Sequence, residues 1–527
     1  MKVKYLWVSK YKNLENIDLQ FNSNLVTLLV GRNGLGKSNL IEILALIFRE
    51  LDLIKSEKEL MSWAYYDDRG HFEFIIKYEC FNKDIQITVK KGEYKIENWE
   101  LNSNDHTLLS FKEWKNTKNL YLPKYIIGYY SGENKRINQI ISPHAELEQR
   151  LQKNWHRRKT LSERSLRRLF FAENKHSQLI LITLAIYREN YLFKDLIDLL
   201  FKKYLNIEEI TSFDIRFNNP RSGFYKEINA GADYFEENFI NSKSEIKYPF
   251  WNLKGKVHDL LSILFNHHLE NASYLIYEND GEDKRRFVKE FLELKNTSIN
   301  RIQSEIYEKF PHPMDFFDAL ESTYNLEILS EISVSVKLEG LEEKIMFNNL
   351  SEGQQQILSV IGMLLITGQD ESLFLFDEPD THINPRWQRD YVSLLSEFNL
   401  NGEKSQIIVA THSPLIVQSS ENSDVFLFKK VENSIVIDSA PHQLHNWRID
   451  QVLQSDYFDF ESTRPAHLDE FMNRREEILN KTEVSLEDLN YLKGLDEKMG
   501  QLPSGETLND FETLNTLYKI VKMNKDE

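Results

Sequence analysis

Short apolar runs separated by turn residues open the chain. KVKYLWV, KNLENIDLQF and NLVTLLV each have the length and pattern of a strand, and the third runs straight into glycine-rich sequence. Over residues 38–53, Leu40, Ile41, Ile43, Leu44, Leu46 and Ile47 leave little polar face, which predicts a buried helix. HFEFIIKYEC and IQITVK, separated by residues 81–84, predict a hairpin, and KYIIGYY after Pro123 predicts a further strand. From about 144 to 345 helical stretches dominate, among them HAELEQRLQKNW, SQLILITLAIYREN and KVHDLLSILFNHHLE, with EISVSVKLEG as a strand-like interruption. Residues 347–411 alternate strand and helix patterns in the manner of a parallel α/β sheet. DVFLFKK and NSIVIDS predict two more strands, and from about 463 an acidic helical tail follows, with nine basic against 14 acidic residues.

These patterns divide the chain into residues 1–143, the first part of an α/β head; 144–345, a helical insertion lobe; 346–440, the second part of the head; and 441–527, the tail. No repeat of 20–50 residues and no sustained heptad emerges, so a solenoid and a long coiled coil are both unsupported.

At 527 residues the chain is too long for one compact core and is expected to be multi-lobed. Its 41% hydrophobic and 28% charged residues exclude wholesale disorder and collagen-like structure. A net charge of −17 argues against nucleic-acid binding over the whole surface but permits a local basic stripe. The single cysteine, Cys80, forms no intrachain disulfide and no cysteine zinc cage, which points to a reducing, cytoplasmic setting. MKVKYLW lacks the apolar stretch of a secretory signal, and the apolar runs 179–187 and 357–367 fall short of the ~20 residues that span a bilayer, so no membrane partner is expected.

The strongest chemistry lies in GRNGLGKS, where Gly31 and Gly36 are separated by four residues and followed by Lys37 and Ser38, between a strand and a helix. Glycines let successive backbone N–H groups curl around phosphates, Lys37 places a charge on the β and γ oxygens, and Ser38 offers a hydroxyl to Mg²⁺. The helix N-terminus adds partial positive charge.

ESLFLFDEPD is the second element: four apolar residues ending in Asp377 and Glu378, a buried strand that delivers two carboxylates at its C-terminal end. Asp377 suits a place near Mg²⁺, and Glu378 suits the group that orients and deprotonates an attacking water. In NNLSEGQQQILSVIGMLLI, Ser351 and Gln354 have capping-box spacing, which explains a helix start but not Gly353. Glycine in a first turn costs up to ~1 kcal/mol relative to alanine unless something approaches its backbone closely, and a γ-phosphate would do so. SQIIVATHSP sets His412 at the end of an apolar strand.

Together GRNGLGKS, LSEGQQQ, FLFDEPDTHINP and ATHSP resemble, in order, the Walker A, signature, Walker B with D-loop, and switch-histidine elements of ABC-type ATPases, in their soluble SMC/RecF/OLD-like branch. The resemblance covers roughly residues 1–60 and 346–415. It implies an ABC-type P-loop NTPase head with a large helical insertion and a helical C-terminal tail. It further implies that Gly31, Asn33, Gly34, Gly36, Lys37 and Ser38 hold ATP and Mg²⁺, that Asp377 assists the metal, that Glu378 is the catalytic base and that His412 senses the γ-phosphate. Ser351, Gly353 and Gln354 would then contact nucleotide held by a second copy, in a head-to-tail homodimer or a higher oligomer. The usual D-loop aspartate is replaced by Asn384, and Gln139 is a candidate for the Q-loop glutamine.

QSDYFDF, LPSGETLNDFE and IIGYYSGENKRI resemble the stand-alone ATPases of Septu-type and retron-associated anti-phage systems, which partner with a separate HNH nuclease. This implies a nucleotide-driven regulator of a bound nuclease. The alternative is a DNA repair ATPase of the RecF/SMC type, and a third option is a nucleotide-gated scaffold without hydrolysis. Residues 141–180 carry nine basic and four acidic residues, so Arg157, Arg158, Arg164, Arg167 and Arg168, with Trp155, Phe170 and Phe171, form a candidate DNA contact; the bland alternative is a solvated helix face. His442 and His445 lack a clear third ligand for a metal, and no carboxylate cluster of a nuclease is evident after Ser413.

Overall fold

The computed structural model describes residues 1–22, 25–63, 72–99, 106–131, 140, 143, 168–173, 176–218, 255–267, 272–280, 286–368, 370–399, 404–432, 434–439, 444–458, 460, 474, 477–478 and 485–499. The chain divides into two compact units, Met1–Ile449 and Asp450–Glu527. In the second, the main described element is the helix Leu486–Met499.

The first unit contains β1 (Lys2–Tyr11), β2 (Leu14–Gln20), β3 (Val26–Gly31), β4 (Phe74–Cys80), β5 (Lys83–Lys90), β6 (Glu93–Trp99), β7 (His106–Leu108), β8 (Tyr125–Tyr130) and β9 (Leu169–Ala172). It continues with β10 (Ile207–Asn218), β11 (Ala272–Asp280), β12 (Arg286–Ser298), β13 (Leu329–Leu338), β14 (Lys344–Met346), β15 (Ser372–Asp377), β16 (Ser405–Ala410), β17 (Asp424–Val431) and β18 (Ser434–Asp438).

A seven-stranded sheet in the order β18-β17-β3-β16-β15-β8-β9 is parallel throughout except for the β17–β18 hairpin at its edge. All six residues of β3, β15 and β16 are buried, as expected for strands covered on both faces. The sequence places this sheet in two separate segments, and the order shows how they interleave: β3 from the N-terminal part lies between β16 and β17 from the C-terminal part.

A second, antiparallel sheet runs β2-β1-β4-β5-β6-β7. Strands β4 and β5 alternate buried and half-exposed residues, so one face is committed to the core. The helix Lys37–Leu53 packs into that core. It buries Leu40, Ile41, Ile43, Leu44, Leu46 and Ile47, as its pattern predicts, in one cluster with Leu6 and Ile76 of the antiparallel sheet and Leu375 and Ile408 of the parallel one.

The insertion departs from the helical expectation. Helices His176–Tyr187, Gly255–Asn266, Ile299–Lys309 and Pro313–Asn325 are present, but so is a five-stranded antiparallel sheet, β11-β12-β10-β13-β14. The signal was a period of two in TSFDIRFN, where Phe213, Ile215 and Phe217 are buried, partly concealed by interspersed charges that also fit one face of a helix. The helix Glu352–Thr367 joins insertion to head: Gly362 leaves the space that Ile180 occupies, and a Cβ there would sit 2.2 Å from the Ile180 side chain.

Candidate nucleotide site

Strand order creates the site. β3, β16 and β15 are consecutive and parallel, with Asp377 level with Ala410 and Ala410 level with Leu29. Their C-terminal ends therefore deliver the loop 31–36, the segment Thr411–His412–Ser413 and the pair Asp377–Glu378 to one edge, the ligand-binding edge of such sheets.

The loop itself has the backbone that phosphate binding requires. Gly31, Gly34 and Gly36 have φ of 137°, 80° and 97°, a region that favours glycine. At Gly31 and Gly36 a Cβ would also collide, 2.5 Å from the Phe428 carbonyl and 2.6 Å from the Leu14 side chain. Arg32, Asn33 and Gly34 form the exposed rim. From the β1–β2 turn, Asn13 donates to the Gly34 carbonyl at 2.8 Å and accepts from Asn39 at 2.5 Å, bracing the loop with a side chain to which the sequence assigned no role.

Lys37 is buried at 5% exposure, with its ammonium donating to the carbonyls of Gly31 (2.7 Å) and Arg32 (3.1 Å). Desolvation lowers its pKa to about 8, while the Glu378 and Asp377 carboxylates act in the opposite direction. His412 bridges the two halves of the site: Nδ1 lies 3.4 Å from Lys37 Nζ, and Nε2 lies 3.2 Å from Glu378 Oε1. The hydrogen bond from His412 lowers the Glu378 pKa, keeping that half-buried carboxyl ionised. Glu378 adopts φ of 51°, an uncommon conformation for a non-glycine residue, fixed by its N–H donating to the Ala410 carbonyl at 2.9 Å.

Asp377 is 2% exposed, and burial pushes its carboxyl up to about 6, although a hydrogen bond with Ser38 favours the charged form. Its Oδ2 is buried without a hydrogen-bond partner. A solitary carboxylate oxygen beside a serine hydroxyl is a donor pair that fits Mg²⁺, which takes one or two protein oxygens and completes its shell with water and substrate phosphates. Among the described residues no group of three or more His, Cys, Asp or Glu is arranged to hold a metal alone.

Ser351, Gly353 and Gln354 occupy a different place. They line a cavity of about 590 Å³ with Thr381, His382, Ile383, Asn384, Pro385 and Trp387, and no phosphate-loop residue lines it. The capping box forms as spaced: Gln354 N–H donates to Ser351 Oγ at 3.3 Å, and Ser351 N–H donates to Gln354 Oε1 at 3.1 Å. Gly353 is explained within the chain, since a Cβ there would lie 2.5 Å from the His382 carbonyl oxygen. The close approach is thus made by the protein's own backbone. Gly353→Ala is expected to cost about 1–3 kcal/mol as the loop or helix shifts, read by urea unfolding; an unchanged midpoint would show that the loop yields freely. Asn384 caps the helix Pro385–Arg389, accepting from Arg386 N–H at 2.9 Å.

Other expected residues fall elsewhere. Gln139, Arg157, Arg158, Arg164, Arg167 and His442 lie outside the described residues. Arg168 is turned inward rather than presented to a ligand: its guanidinium donates to the Leu122 carbonyl at 3.2 Å and to Asn119 at 2.7 Å, and stands 3.4 Å from Asp52. These inward contacts turn its guanidinium away from the candidate DNA contact.

Asp380 is a site residue that sequence reasoning passed over, although the D-x-x-D spacing from Asp377 could have raised it. Burial raises its pKa to about 6; Oδ2 accepts from Thr411 Oγ1 at 3.1 Å, and Glu378, His412 and Tyr391 surround it. Because the folded pKa exceeds the unfolded value of 3.8, the stability that protonation confers is complete below 3.8 and lost as pH rises through about 6. Asp380→Asn is therefore expected to gain on the wild type by up to about 3 kcal/mol between pH 4 and 7; a melting difference independent of pH would contradict this.

A model of the AAA ATPase domain family matches residues 1–417. The chain belongs to that family. The chain is similar to the Septu protein PtuA of Bacillus thuringiensis, 24% identical over 201 residues that cover 33% of this chain and 50% of that protein. It is also similar to the retron Vc95 probable ATPase of Vibrio cholerae serotype O1 biovar El Tor, 24% identical over 227 residues, 41% of this chain and 39% of that one. The DNA replication and repair protein RecF of Streptococcus agalactiae is 33% identical over 91 residues, 17% of this chain and 24% of RecF. The matches thus span half or less of each relative's length. Among the described residues no helix is long and apolar enough to cross a membrane.

Proposed function

We propose that this protein hydrolyses ATP with Mg²⁺ at the edge formed by β3, β16 and β15, and that two copies close head-to-tail over two nucleotides. The observation that carries the reading is the division of its polar machinery into two surfaces. Lys37, Ser38, Asp377, Glu378 and His412 converge at one, whereas Ser351 and Gln354 line a separate cavity that a second copy's nucleotide would complete.

In this reading the loop 31–36 turns its N–H groups to the phosphates, and Lys37 exchanges the carbonyls of Gly31 and Arg32 for phosphate oxygens. Ser38 and Asp377 would hold Mg²⁺, which neutralises phosphate charge. Glu378, ionised and oriented by His412, accepts the proton of the attacking water, and His412 faces the γ-phosphate. In light scattering, wild-type protein is expected to double in mass with a non-hydrolysable ATP analogue and Mg²⁺. A monomer at saturating nucleotide would overturn the paired arrangement.

The likeness to the Septu protein and the retron ATPase supports a role as the regulatory ATPase of an anti-phage complex acting on a separate nuclease, here taken to be of HNH type. Purification from the native host is expected to bring down such a nuclease. The likeness to RecF keeps a DNA repair role as the competing reading; tight ATP-dependent binding of gapped DNA by the isolated protein would favour it.

A further inference from the structure

His412 sits between two residues that are both tied to the segment 380–388, a loop that runs into the helix Pro385–Arg389. On one side Thr411 Oγ1 donates to Asp380 Oδ2 at 3.1 Å and accepts the Ser413 N–H at 2.9 Å. On the other, Ser413 Oγ donates to Gln388 Oε1 at 2.8 Å. The Gln388 amide then turns back along the same loop, donating to the carbonyls of Asp380 (3.0 Å) and Ile383 (3.1 Å). One side chain therefore fixes both ends of the segment 380–383 and joins it to the segment that carries the histidine.

The far side of that segment is held by the helix Glu352–Thr367. His382 N–H donates to the buried Gln356 Oε1 at 3.2 Å, and the His382 carbonyl lies over Gly353. The loop is thus clamped between the strand end that faces the chain's own nucleotide edge and the cavity at Ser351. Moving the segment that carries His412 relative to the segment 380–388 would break the Thr411–Asp380 and Ser413–Gln388 bonds, both made by buried or half-buried groups.

We infer that Gln388 and Ser413 are positioning residues that couple the state of the nucleotide edge to the shape of the Ser351 cavity in the same chain, and through it to the nucleotide of the second copy. Neither touches the reacting atoms. The inference rests on the paired reading proposed above and adds the side chains that make the two sites interdependent. Such coupling is a free energy shared between sites and is measured as a change in cooperativity rather than in affinity at one site.

The test uses the full chain with Gln388→Leu, which removes every bond of the amide at similar volume, and Ser413→Ala, which removes the link to the histidine segment, with Ser413→Thr as the conservative rescue. Three quantities are read: binding of a fluorescent ATP analogue to dilute protein, the ATP dependence of phosphate release, and the nucleotide-dependent dimerisation constant. Wild type is expected to be sigmoidal in ATP. Gln388→Leu and Ser413→Ala are expected to bind analogue as wild type does, to lose sigmoidicity, and to dimerise about tenfold more weakly, while Ser413→Thr restores both. If wild type dimerises and is sigmoidal and both variants match it, the inference fails and the paired reading stands. If both variants lose analogue binding along with thermal stability, the residues are structural and the inference fails. If wild type neither dimerises nor releases phosphate, both fall.

Discussion

Glu378→Gln is expected to lower the rate of phosphate release by at least ~100-fold while leaving ATP binding intact. The substitution is nearly isosteric, so the backbone at φ 51° and the bond from its N–H to the Ala410 carbonyl persist. The amide oxygen still accepts from His412, which spans 3.2 Å to Glu378 Oε1 in the wild type. What disappears is the proton acceptor. The His412 contact holds the wild-type carboxyl below the ordinary glutamate range, so the base is ionised at neutral pH and its loss is not masked by partial protonation. Single-turnover phosphate release measures the step directly. Equal rates for variant and wild type would remove Glu378 from the chemistry and favour a scaffold that binds without hydrolysing.

The second large effect is on binding. Lys37→Ala is expected to weaken ATP affinity by roughly 100-fold, about 3 kcal/mol, the worth of charge-assisted bonds to phosphate oxygens lost at a buried position. Burial drives the ammonium pKa of the nucleotide-free chain down to about 8. As a cation disfavoured by the fold, Lys37 destabilises the chain fully below about 8, and the penalty falls away as pH rises from about 8 to the unfolded value of 10.5. Affinity for the triphosphate runs the other way, weakening as the proton is lost above about pH 8, whereas the alanine variant shows no such slope. Calorimetric titration between pH 7 and 9 reads both. A pH-independent wild-type affinity, or an alanine variant that binds normally, would place the phosphates elsewhere.

Local chemistry was legible in the sequence wherever it was contiguous. The strand, glycine turn and helix around Lys37 form as spaced, the capping box at Ser351 is made by both partners, and FLFD is a buried strand that ends at Asp377 with Glu378 next. What contiguity could not reveal was neighbourhood. Asn13 braces the phosphate loop because β1 and β2 turn beneath it, and Gln388 reaches Ser413 because the helix Pro385–Arg389 lies beside the start of the helix Pro414–Gln418. Gly353 shows the same limit from the other side. Its cost in a first turn signalled a close approach, but only the fold identifies the approaching group as the His382 carbonyl. The sheet in the insertion escaped because charges at alternate positions of a strand also satisfy one face of a helix when no partner strand is in view.

Cysteine cross-linking between copies addresses the shared-nucleotide arrangement most directly. Asn33 and Ser351 are exposed, and the native Cys80 is buried, its thiol pushed up to about 12, so it contributes little background. A chain carrying Asn33→Cys is mixed with one carrying Ser351→Cys, both in the Glu378→Gln background, and oxidised with and without ATP and Mg²⁺. The expected result is a cross-linked heterodimer that forms with ATP and is absent without it. A chain that binds ATP yet yields no cross-link, or one that cross-links equally in its absence, would contradict the account.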